Sequence, residues 1–124
     1  MNSAFAFLDS NFETPQHLQM LVIKNFACNN NISISFYGNE PVGYESRHKI
    51  FLEYLQTGKD NSYLFFTLDQ LTIDGYKLDM SIILMALNRS VNLYFASENL
   101  KIKNINDLKD IQLLLYSKNQ KTLV

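Results

Sequence analysis

Four short apolar segments rich in β-branched and aromatic residues, AFAFL at 4–8, ISISFY at 32–37, SYLFFTL at 62–68 and VNLYFA at 91–96, each precede a stretch with helical spacing. This alternation constrains the fold more than any other feature. A strand, a helix and a second strand in series lie parallel when the helix packs back on the sheet that both strands share. The spacing predicts helices over about Gln16 to Cys28, from near Ser46 to Gly58, from about Lys77 to Leu87, and from about Asn106 to Ser117. Thr14 as cap and Pro15 as first helical residue start the first of these, and the asparagines at 29–31 end it. Gly58 suits the close of the second. The expected class is α/β, a parallel four-strand sheet between two helical layers.

Composition supports one globular domain spanning 1–124. Hydrophobic residues make up 47% and charged residues 19%, and only two prolines and four glycines occur, which excludes a disordered or linker-rich chain. Eleven Lys and Arg against twelve Asp and Glu, scattered along the chain, form no concentrated basic face, so binding to duplex DNA is not expected. The single Cys28 cannot close an internal disulfide, and the first residues lack the pattern of a secretion signal. A cytoplasmic location is the expectation. No stretch reaches the ~20 apolar residues of a membrane span, since SIILMAL runs straight into Asn88 and Arg89.

In parallel α/β sheets ligands bind outside the carboxyl ends of the strands. Those ends carry Asp9 and Ser10, Asn39 and Glu40, Asp69 and Gln70, and Glu98 and Asn99, so an acid stands at every one. Acids gathered in one cleft raise one another's pKa unless a ligand compensates. Ser10 and Asp69 are the candidate catalytic residues. Asp9, Glu40, Arg47, Gln70, Glu98 and Asn99 are the candidate binding residues, with Arg47 suited to pair with carboxylates or grip an anion. Asp69 has an alternative role as a loop cap, accepting hydrogen bonds from the amides that follow it. No metal site is expected, because neither DxD nor HExxH spacing occurs and His17 and His48 read as surface residues early in helices. No cofactor is expected either, for GxGxxG and GxxxxGK[ST] are both absent. KLDMSIILMALN and DLKDIQLLLYS are apolar around more than one stripe, which predicts a face for a second copy or a partner enzyme.

Ser10, Gln19, Arg47 and the strand ending in LDQLTID together resemble the catalytic domain of serine recombinases of the resolvase and invertase type. The resemblance implies a resolvase-like, flavodoxin-related sheet with strand order 2-1-3-4, and a serine that attacks DNA phosphate. Leu8, Gln70 and Ile73 stand where that family places arginines. Without those guanidinium groups the main stabilisation of a phosphoryl-transfer transition state is gone.

The segments TPQHLQMLVIKNFACNNN and NLYFASENLKI are similar to the small sporadic carbohydrate cluster proteins encoded among bacterial surface-polysaccharide genes. That second resemblance implies surface-carbohydrate biosynthesis and a sugar or sugar-nucleotide ligand, which carboxylates, amides and aromatic faces such as Tyr37 and Tyr44 would suit. Two other roles stay open. One is a non-catalytic scaffold subunit of a carbohydrate enzyme, and the other a degenerate recombinase domain.

Overall fold

The computed structural model describes residues 2–42, 48–73 and 77–122. The elements in chain order are β1 (Asn2–Asp9), α1 (Gln16–Asn29), β2 (Ile32–Glu40), α2 (Lys49–Thr57), β3 (Ser62–Phe65), a 3₁₀ turn at Leu68–Leu71, β4 (Thr72–Ile73), β5 (Lys77–Leu78), α3 (Met80–Asn88), β6 (Asn92–Phe95), β7 (Leu100–Ile102) and α4 (Ile105–Thr122). The main sheet runs β2-β1-β3-β6-β7. Its first four strands are mutually parallel, giving the expected 2-1-3-4 order. Two additions depart from the sequence reading. β7 joins the edge antiparallel to β6, and β4 with β5 forms a separate antiparallel pair where the start of a helix was expected. Both additions are two or three residues long, too short to show a period of two.

β1 sits between β2 and β3 and alternates its side chains between two cores. Ala4, Ala6 and Leu8 face α1, meeting Ile23, Phe26 and Ala27. The two alanines leave room for that helix to lie close to the sheet. Phe5 and Phe7 point to the opposite layer of α2, α3 and α4, where Phe51, Leu55, Ile83, Leu108 and Ile111 are buried. Register places Phe7 opposite Phe65 and Phe65 opposite Phe95. Their rings stack with centroids 5.0 Å and 5.5 Å apart, forming an aromatic ladder across three parallel strands.

Several boundaries differ from those expected. α1 begins with Pro15 at its cap, and no side chain caps it; the Pro15 carbonyl accepts from the amides of Leu18 and Gln19. β2 extends past Gly38 to Glu40 and carries a bulge that leaves Ser35 unpaired between Ile34 and Phe36. α2 starts at Lys49, with His48 at its cap in the left-handed region at φ 61°. That backbone turns His48 inward, where it is buried near Phe51, so it is not the surface residue the sequence implied.

Between α3 and α4 lies an apolar groove of about 880 Å³, lined by Met80, Leu84, Ile105, Leu108, Leu113 and Tyr116. This is where the expected self-association face falls. Among the described residues, no helix is long and apolar enough to cross a membrane.

Candidate functional site

The carboxyl edge of the sheet is held by side chains that bond to backbone. Gln19, fully buried on α1, accepts from the Asp9 amide at 3.0 Å and donates to the carbonyls of Asp9 and Thr14, both at 2.9 Å. One amide thus clamps the end of β1 to the start of α1. Asp9 itself receives the Asn11 backbone and side-chain amides, each at 2.9 Å, which shapes the loop that follows. Glu40, buried at the end of β2, accepts from the amides of Ile50 at 2.8 Å and Phe51 at 3.0 Å, so it caps α2 from outside the helix. Burial raises its carboxyl above 4.5, those two amides oppose the rise, and the carboxylates of Asp9 and Glu53 add to it.

After β3 the chain forms a capping box on the 3₁₀ turn. Thr67 Oγ1 accepts from the Asp69 amide, and Gln70 Oε1 accepts from the Thr67 amide at 3.1 Å. Gln70 Nε2 reaches back to the Phe7 carbonyl on β1 at 3.0 Å. The pattern T-x-x-Q at 67–70 is legible in the sequence as such a box. The strand therefore ends at an acid and an amide because the amide ties the turn to β1. The Asp69 carboxylate takes no part in the box, and among the described residues it accepts no hydrogen bond and forms no ion pair. Glu98 closes the turn from β6, accepting from Thr67 Oγ1 at 2.6 Å and from the Leu68 amide at 3.0 Å.

Asn99 adopts φ 55° in the turn between β6 and β7 and faces α1, sharing a groove with Asn25, Phe26, Asn29 and Asn30. Arg47 lies outside the described residues. Of the candidates, Asp9 and Ser10 share one loop with Glu40 beside it, because the Ser10 amide donates to the Glu40 carbonyl at 3.0 Å. Gln70 and Glu98 converge separately on the turn after β3.

Ser10 opens onto a groove of about 540 Å³ lined also by Phe12, Thr14, Gln16, His17 and Met20. Its Oγ accepts from Gln16 Nε2 and from Asn39 Nδ2, each at 2.7 Å. Sequence reading overlooked Gln16 and His17 here, since neither stands beside Ser10 in the chain. The first turn of α1 brings both back to it. Among the described residues, no arginine or lysine lines the groove. The described arginine, Arg89, donates to the Leu55 carbonyl instead.

The architecture is similar to that of a resolvase family site-specific recombinase from Streptococcus pneumoniae, with a TM-score of 0.72 and 13% identity over 99% of this chain and 91% of that one. The fold is resolvase-like. A second likeness, to the N-terminal catalytic domain of TP901-1 integrase, has a TM-score of 0.68 and 8% identity over 98% of this chain and 96% of that one. No family model matches the chain, and no curated protein matches it either.

Proposed function

We propose that this resolvase-fold protein acts in surface-carbohydrate biosynthesis by binding a sugar or sugar nucleotide at the Ser10 edge, without cleaving DNA. The observation that carries the reading is the set of hydroxyl and carboxamide groups at the groove, with no arginine or lysine among the described residues that line it. Ser10, Thr14 and Gln16 line it, with Asn39 bonded to Ser10 from β2. Hydroxyls and carboxamides match the hydrogen-bonding demands of a polyol, while a DNA phosphate in a strand-transfer step calls for cations aimed at it. Calorimetric titration with UDP-N-acetylglucosamine and with free hexoses tests the reading. Saturable binding that Ser10→Ala abolishes is the expected result, and no heat with any of these sugars would overturn it.

A second reading has its own support. The likeness to the recombinase and integrase domains extends over nearly the whole of each, and Ser10 directly follows β1, the serine to which the sequence resemblance to serine recombinases assigns the attack. In that reading the Ser10 hydroxyl attacks a DNA phosphate, a phosphoserine bond forms as one phosphate–sugar oxygen bond breaks, and the freed strand end leaves as a hydroxyl with the proton that the serine gives up. Incubation with supercoiled plasmid, followed by mass spectrometry of Ser10, separates the two. A nucleotide adduct on Ser10 favours recombination, and its absence together with sugar binding favours the first reading.

A further inference from the structure

Among the described residues, the hydrogen-bond partners of Ser10 Oγ are two amides and no base. A serine hydroxyl offers one hydrogen and two lone pairs. Gln16 Nε2 approaches Oγ from the first turn of α1 and Asn39 Nδ2 from the end of β2, each at 2.7 Å, the short end of the range for such bonds. With both lone pairs filled, the hydroxyl hydrogen is the only valence that the described residues leave, and Ser10 lines the groove. The backbone on both sides is anchored. Asn39 precedes Glu40, whose carboxylate caps α2 and whose carbonyl takes the Ser10 amide, while Gln16 stands three residues before the buried clamp Gln19.

We propose that Gln16 and Asn39 are positioning residues that hold Ser10 as a one-way hydrogen-bond donor, so that the ligand presents an acceptor oxygen to it. A carbonyl, such as that of an N-acetyl group, or a ring oxygen would serve. The inference rests on reading the Ser10 groove as the ligand site, and it explains how a serine in this position binds without attacking. A nucleophilic serine needs a neighbour that takes its proton. Both amides instead donate, and His17, though it lines the same groove, makes no hydrogen bond to Ser10 Oγ.

The test needs no ligand. In a Cys28→Ser background, which removes the exposed native thiol, Ser10→Cys puts sulfur where the two amides point. Donors aimed at a thiolate favour the charged form and lower the thiol pKa. Among the described residues, the titratable groups next to position 10 in the chain or along its groove are Asp9 on β1, Glu13 in the connecting loop and His17 on α1, with Glu40 on β2, whose carbonyl takes the Ser10 amide. They are common to all the variants compared. The pH profile of iodoacetamide alkylation gives the pKa of the introduced thiol, with circular dichroism confirming that each variant is folded. Adding Asn39→Ala or Gln16→Ala is expected to raise that pKa by about half a unit, slowing alkylation at neutral pH roughly threefold. An unchanged or lowered pKa in both would overturn the proposal, because the amides would then present oxygen to position 10. If the pKa responds but no sugar binds, the positioning stands and the carbohydrate reading falls.

Discussion

The Glu98 carboxylate reaches from the end of β6 to the Thr67 hydroxyl at 2.6 Å, and its second oxygen takes the Leu68 amide at 3.0 Å. Two neighbouring strands of the sheet are thereby joined at their carboxyl ends through one side chain. Replacement by alanine leaves the first amide of the 3₁₀ turn without its acceptor. Glu98→Ala is expected to lower unfolding free energy by about 1 to 2 kcal/mol, read from urea denaturation.

Gln19 holds more. Its amide satisfies the Asp9 N–H and two carbonyls in a fully buried setting. An apolar replacement of similar size keeps the volume and removes all three bonds. Gln19→Leu should cost about 3 kcal/mol in the same assay, more than the Glu98 variant, because the stranded groups are out of reach of water.

Asp69 gives the opposite expectation. The capping box uses Thr67 and Gln70, and the Asp69 carboxylate accepts nothing from the described residues. Asp69→Ala should therefore leave stability within about 0.5 kcal/mol of the parent. A loss beyond about 1 kcal/mol in denaturation would assign that carboxylate a structural partner.

At the other edge of the sheet, Asp60 accepts from the hydroxyls of Ser3 and Tyr54 and from Ser35, the last at 2.8 Å. Burial pushes the Asp60 carboxyl up, and the three hydroxyls more than offset that, leaving it below its usual 3.8. A depressed carboxyl stabilises the fold above its unfolded pKa, and that contribution is lost as pH falls through the lower, folded value. Glu40 runs the other way. Its raised carboxyl makes the folded chain bind more protons than the unfolded one just above 4.5, so stability there falls as pH rises. Melting temperatures measured from about pH 2 to 7 should show a shallower acid loss below about pH 4 for Asp60→Asn than for the parent, and a flatter profile just above 4.5 for Glu40→Gln.

The parallel core was legible because each strand carries residues for two buried faces. Tyr63 and Phe65 turn one way and Leu64 the other, which a run of apolar residues announces without any alternation. β7 and the β4–β5 pair were not legible. Leu100–Ile102 becomes a strand because Asn99, at φ 55°, turns the chain back along β6, and nothing in the three residues themselves requires pairing. At the carboxyl edge, counting from strand ends indicated which residues stand after each strand. It could not say which would spend their oxygens on the backbone. Glu40, Gln70 and Glu98 do so because helix and turn amides lie within reach, a matter of tertiary placement. Ser10 came with its strand, whereas Gln16 and His17 required the helix to fold back on it.

The place of β1 between β2 and β3 also bears on how the chain is made. Synthesis delivers β1 first, yet its second ladder cannot close until residues 62–65 follow, and β6 then adds outside β3. During that interval Phe5 and Phe7 have only the α2 side of their core to rest on. The nascent chain should thus gather around a β1–α1–β2 unit, with the far half of the sheet laid down in the order in which it is translated.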